Sequence, residues 1–133
     1  MTKERAATLT ASIGAGLLFG TAAFHLGTYS SVVARAPADL RPIVSAAWVA
    51  GGASLIIAAL LAVAATPRFI VRRRALLGIA ALTPLSIAVL QIAYLGFLPA
   101  TALLLLDAAV LVVAGELGRS RQPLPVPEAS EQL

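Results

Sequence analysis

Apolar positions in this chain do not alternate and do not fall into a narrow stripe. They run on without a break. Ala6 to Gly27 carries no charge, and neither does Ile43 to Ala65. Ala75 to Gly118 is interrupted only by Asp107 and Glu116. As one helix this last stretch would be about 66 Å long. A hydrocarbon core is about 30 Å thick and takes roughly 20 helical residues. The stretch must therefore turn back, and Gly96-Phe97-Leu98-Pro99 is the break. Glycine ends helices and proline starts them. The pattern predicts four spans, over 7–28, 43–65, 75–96 and 99–118.

Helices are favoured over a barrel. Membrane strands read as segments of about ten residues with alternating polarity. These runs are continuous and rich in Ala and Leu, and a helix satisfies its own backbone in lipid. The expected fold is all-α: an integral membrane four-helix bundle, antiparallel and up-down-up-down, with a short third connection. Residues 1–118 form this domain. The first connection, Thr28 to Pro42, reads as a polar loop. The stretch 119–133 carries Pro123, Pro125, Pro127, Glu128 and Glu131 and reads as a disordered cytoplasmic tail.

Composition strengthens this picture. The chain has 133 residues, 59% hydrophobic and 12% charged, with a mean hydropathy of +0.93. Soluble domains are roughly 25% charged, so a water-soluble enzyme is a poor fit. Without cysteine there is no disulfide or thiolate site, and one histidine cannot build an ordinary metal site. No metal or cofactor is expected. The net charge of +4 raises nucleic acid as a partner, but the basic residues sit between apolar runs and form no face with interleaved aromatics. Membrane topology explains them better. Lys3, Arg5, Arg68, Arg72, Arg73, Arg74, Arg119 and Arg121 fall on one side, and only Arg35 and Arg41 on the other. By the positive-inside rule both termini are cytoplasmic. Arg68 and Arg72-Arg73-Arg74 set this orientation and are placed to meet lipid headgroups. Cleavage of the first run as a signal peptide is the competing reading, with an A-x-A at Ala34-Arg35-Ala36. The run is longer than the usual 7–15 residues, which argues against it.

Polar groups within spans are costly and mark candidate sites. Five stand out: His25, Trp48, Gln91, Tyr94 and Asp107. All fall in the outer half of the bilayer, with Asp107 deepest at roughly 12 Å. Each also has a structural reading. Asp107 can be a neutral acid bonding between helices, and His25 a hydrogen-bonded packing residue. Trp48 and Tyr94 suit interfacial anchors, and Gln91 interhelical glue. Gly16 and Gly20 form a G-x-x-x-G, and Gly51 and Gly52 are a second small patch; both suit close helix packing. Pro84 removes a backbone bond inside the third span and should kink it.

No catalytic constellation is present: no H-E-x-x-H, no phosphate loop and no nucleophile elbow. Phe24-His25-Leu26-Gly27 at the end of span one, Trp48 early in span two and the short turn between spans three and four resemble the small four-span bacterial inner-membrane proteins, including DoxX-like proteins. The resemblance covers roughly residues 7–118. It implies a bacterial inner-membrane location and a role as a membrane component or partner of redox systems. Small multidrug transporters are the other four-span comparison, but they carry an acid in the first span, where this chain has none. The leading expectation is a non-enzymatic accessory, assembly or scaffold subunit, working in the lipid bilayer as a homodimer or in a larger complex. The alternative is a small proton-linked carrier using Asp107 and His25.

Overall fold

The computed structural model describes residues 2–66, 70–95 and 99–118. The turn at 96–98, Arg68 and the stretch 119–133 lie outside these residues, as do the side chains of Arg72 and Tyr94. Five helices follow in order: α1 (Lys3–Gly27), α2 (Tyr29–Arg35), α3 (Arg41–Ala64), α4 (Ile70–Leu95) and α5 (Pro99–Leu117). No strand occurs among the described residues. The four long helices are each long and apolar enough to cross a membrane. The chain is a multi-pass helical membrane protein.

The ends show where the apolar runs alone fall short. α1 begins four residues before the predicted start, because Thr2 caps it and accepts a hydrogen bond from the Arg5 amide at 3.4 Å. Glu4 in the first turn suits the positive end of the helix dipole. α4 begins at Ile70, so Arg72, Arg73 and Arg74 form its first turns and not a loop. Arginine is a good helix former and extends its charge away from the helix. Proline stands at the first position of α5 and the second of α3, where its missing amide costs nothing. The expected loop between the first two spans contains α2, which buries no residue. It is tied back to α3 by the hydroxyls of Tyr29 and Ser45, 2.5 Å apart.

The four long helices close into a ring, with α1 on α3, α3 on α4, α4 on α5 and α5 back on α1. Their inward faces are lined with small side chains at helical spacing. α1 presents Ala7, Ala11, Ala15, Leu18 and Ala22, all buried. α3 adds Leu55, Ala58, Ala59 and Ala62, and α4 adds Leu77, Ala80, Ala81 and Ala88. α5 completes the core with Leu104, Ala108, Leu111 and Ala114. Lipid is as apolar as leucine, so burial alone drives no association here. Close contact does, and alanine permits it. Large apolar side chains such as Ile43, Ile57, Leu82 and Val112 point outward, as suits contact with lipid tails. Pro84 is buried within α4, which continues past it to Leu95.

Glycine separates into two roles. A side chain at Gly52 would collide with Leu26, and one at Gly14 would reach Leu111 at 2.8 Å. Gly16 and Gly20 have nothing within 4 Å. They pack against no helix among the described residues, because Gly14 and Ala15 occupy the inward face of that turn. Gly52→Val should therefore lose about 1–3 kcal/mol from overpacking. Gly16→Val should stay within about 0.5 kcal/mol. Thermal unfolding of both variants in detergent checks the contrast.

Candidate functional site

The C-terminal ends of α1 and α4 meet the N-terminal ends of α3 and α5 at the end of the bundle where α2 lies. The polar residues singled out in the sequence gather here. They form separate pairs, each joining two helices, and not one cluster.

His25 and Trp48 join α1 to α3. Their rings stack with centroids 4.0 Å apart and planes 8° from parallel. Trp48 Nε1 donates to the His25 carbonyl at 2.6 Å. His25 Nε2 lies 3.0 Å from the Trp48 carbonyl. A carbonyl only accepts, so Nε2 carries the hydrogen and the neutral ring keeps its basic nitrogen at Nδ1. The close approach needs a small neighbour: a side chain at Gly51 would stand 3.1 Å from His25 Nε2. Thr28 Oγ1 also donates to the His25 carbonyl at 3.0 Å and to that of Phe24 at 3.1 Å. Trp48 is thus less an interfacial anchor than half of a reciprocal clasp.

Gln91 and Thr101 join α4 to α5. The Thr101 hydroxyl donates to Gln91 Oε1 at 2.9 Å, and both residues are buried. Asp107 joins α5 to α1. It is 1% exposed, and Thr21 of α1 lies beside its carboxyl. The second oxygen, Oδ2, is buried without a partner. No bond links His25 to Asp107. Thr21 and Thr101 are the partners that sequence reasoning left out of the site. Thr21 shares a helical stripe with Leu18 and His25, so its direction was legible. Its partner was not, because threonine in an apolar helix often bonds its own backbone. Thr10 here does so, to Ala6.

A small cavity of about 40 Å³ lies among these pairs, lined by Thr21, His25, Thr28, Trp48, Gln91 and Leu104 with neighbouring apolar groups. It has room for very few waters. A wider, open groove shares Thr21, Phe24 and Leu103 with that cavity and runs along α1 past Ile13, Gly16, Leu17 and Gly20.

The opposite end is held differently. Arg74 forms an exposed ion pair with Glu116 at 2.9 Å. Arg73 is buried, with both terminal nitrogens 3.5 Å from Thr8 Oγ1 and Nε unpartnered. Among the described residues no group of three or more His, Asp or Glu is placed to hold a metal.

No known protein family, curated protein or solved structure matches the chain. Fold and site together define the class: a small multi-pass membrane protein whose span-embedded polar residues pair between helices.

The Gln91–Thr101 bond gives an asymmetric expectation. Thr101→Val strands a buried amide oxygen and should cost about 1–2 kcal/mol. Adding Gln91→Leu should recover most of that loss, since both ends are then apolar. A double-mutant cycle by thermal unfolding reads the difference.

Proposed function

We propose that this protein is a non-enzymatic component of the bacterial inner membrane, an accessory, assembly or scaffold subunit with both termini in the cytoplasm. The observation that carries the reading is the use of the polar side chains. His25, Trp48, Gln91 and Thr101 are each engaged in bonds that tie one helix to another. They hold the bundle together. The cavity between them is too small for an organic substrate. Gly16 and Gly20 stay open on the outside of α1, which suits the approach of a helix from a second copy or from another membrane subunit.

A proton-linked carrier using Asp107 and His25 is the second reading. The unpartnered Asp107 Oδ2 favours it, because a carboxyl in hydrocarbon is retained only where something uses or neutralises it.

The chain has no cysteine, so single cysteines map its orientation directly. Ser31→Cys, on α2, should react with an impermeant maleimide in intact cells. Thr2→Cys should react only after the membrane is opened. The reverse pattern overturns the orientation. The subunit reading is checked by mass in mild detergent after crosslinking in the native membrane. A discrete assembly that Gly16→Leu with Gly20→Leu disrupts supports it. A monomer in the membrane that pumps or leaks protons in liposomes removes it.

A further inference from the structure

The cavity at the α2 end is not closed off from the bilayer. Thr21, Phe24 and Leu103 line both the cavity and the open groove along α1. Phe24 and Leu103 are exposed on the outside of the bundle. The groove exists because Gly16 and Gly20 carry no side chain and nothing stands within 4 Å of where one would start. It encloses about 460 Å³, against about 40 Å³ for the cavity. It follows α1 from Phe24 to Ile13, about 17 Å of helix. One leaflet of a hydrocarbon core is about 15 Å deep. A tail lying in the groove therefore runs as lipid tails run, from the α2 end of the bundle to the middle of the bilayer.

The cavity supplies what a polar head needs. Gln91 and His25 stand in its wall, each more than nine-tenths buried. Gln91 accepts from Thr101 through Oε1, and its amide nitrogen, with two hydrogens to give, makes no hydrogen bond among the described residues. His25 donates through Nε2 to the Trp48 carbonyl, which leaves Nδ1 as an acceptor. A hydroxyl both accepts and donates, so it answers both groups. No acid, lysine or arginine lines the cavity or the groove among the described residues. A charged head would give up its water there without meeting a counter-charge. Size sets the same limit. The cavity has the volume of about three waters, enough for a hydroxyl and its carbon and too little for a phosphodiester.

We propose that the cavity and the groove together form a binding site for a long-chain alcohol, with its hydroxyl in the cavity on Gln91 and His25 and its tail along Gly20 and Gly16. The cavity alone is too small for such a molecule, and the groove supplies the room for the tail. The alcohol enters sideways from the leaflet on the α2 side, past Phe24 and Leu103, without leaving the bilayer. A helix of a second copy packed on Gly16 and Gly20 would fill the same groove, so the two are rival occupants. The helix would cover the groove and leave the Gln91 amide unanswered, whereas the alcohol satisfies both. The inference goes beyond the subunit reading and does not depend on it.

Trp48 is the only tryptophan of the chain and stands in the cavity wall, so its fluorescence reports occupancy. The test uses the full chain in phosphatidylcholine nanodiscs, titrated with a hexadecanol brominated beside its hydroxyl, since bromine quenches tryptophan at short range. Quenching should saturate, and plain hexadecanol should reverse it. Hexadecane, which has no hydroxyl, and palmitate, held ionised at alkaline pH, should not. Gln91→Leu with Thr101→Val removes the amide while leaving both ends of that bond apolar, and should weaken the apparent affinity roughly fivefold. Gly16→Leu with Gly20→Leu fills the groove and should abolish saturable quenching. The two variants act on separate parts of the site, so either carries the test if the other does not fold. The proposal is overturned if quenching rises without saturating, if hexadecane or palmitate competes as well as hexadecanol, or if neither variant moves the midpoint. The crosslinked mass in the same nanodiscs separates the readings. A monomer with saturable quenching keeps this site and removes the subunit reading. A dimer without saturable quenching removes this site and leaves the subunit reading standing.

Discussion

A polar side chain placed in hydrocarbon has no water to turn to, so its partner must come from the protein. That constraint organises the α2 end of this bundle. Two pairs of polar residues that the sequence carries into spans there bond across neighbouring helices, His25 with Trp48 and Gln91 with Thr101, while Asp107 sits beside Thr21 with one carboxyl oxygen unpartnered. Single bonds of this kind are weak, about 0.6 kcal/mol on average. Their greater effect is on register. Alanine faces can slide past one another with little change in contact, whereas a histidine bonded reciprocally to a tryptophan cannot. The small residues let the helices approach, and the polar pairs decide where they stop.

The fold was largely legible in the sequence because membrane thickness is a ruler. Four uninterrupted apolar runs, one of them too long to be a single crossing, leave few arrangements, and the observed spans sit within five residues of the predicted starts. The errors lie where local chemistry overrides hydropathy. Thr2 and Glu4 extend α1 beyond its apolar run, and the three arginines wind into α4. Tyr29 to Arg35 forms a helix although it buries nothing, with the tyrosine hydroxyl tied to Ser45.

The site was legible by level and not by pairing. Helix lengths place His25, Trp48, Gln91 and Asp107 at similar depths, but rotation about each helix decides who meets whom. A single sequence states that rotation only where a stripe is clear. On α1 the run Leu18, Thr21, Ala22 and His25 is such a stripe. On α5 nothing distinguishes Leu103 from Leu104 as the inward neighbour of Asp107, yet one is exposed and the other buried. The glycines show the same limit. Gly16 and Gly20 match the best-known packing motif and face outward, while Gly52, in the second small patch, and Gly14, in no motif, take the closest contacts.

The two ends of the bundle are fastened unequally. At the α2 end, aromatic stacking and buried short bonds lock α1 to α3 and α4 to α5. At the other end the described fastenings are long contacts from Arg73 to Thr8 and an ion pair open to solvent. A bundle built this way behaves like a clothes-peg. Its grip is fixed at one end, and thermal motion spreads the opposite ends of the helices first. Parting the helices at the arginine end breaks fewer described buried bonds than parting them at the α2 end.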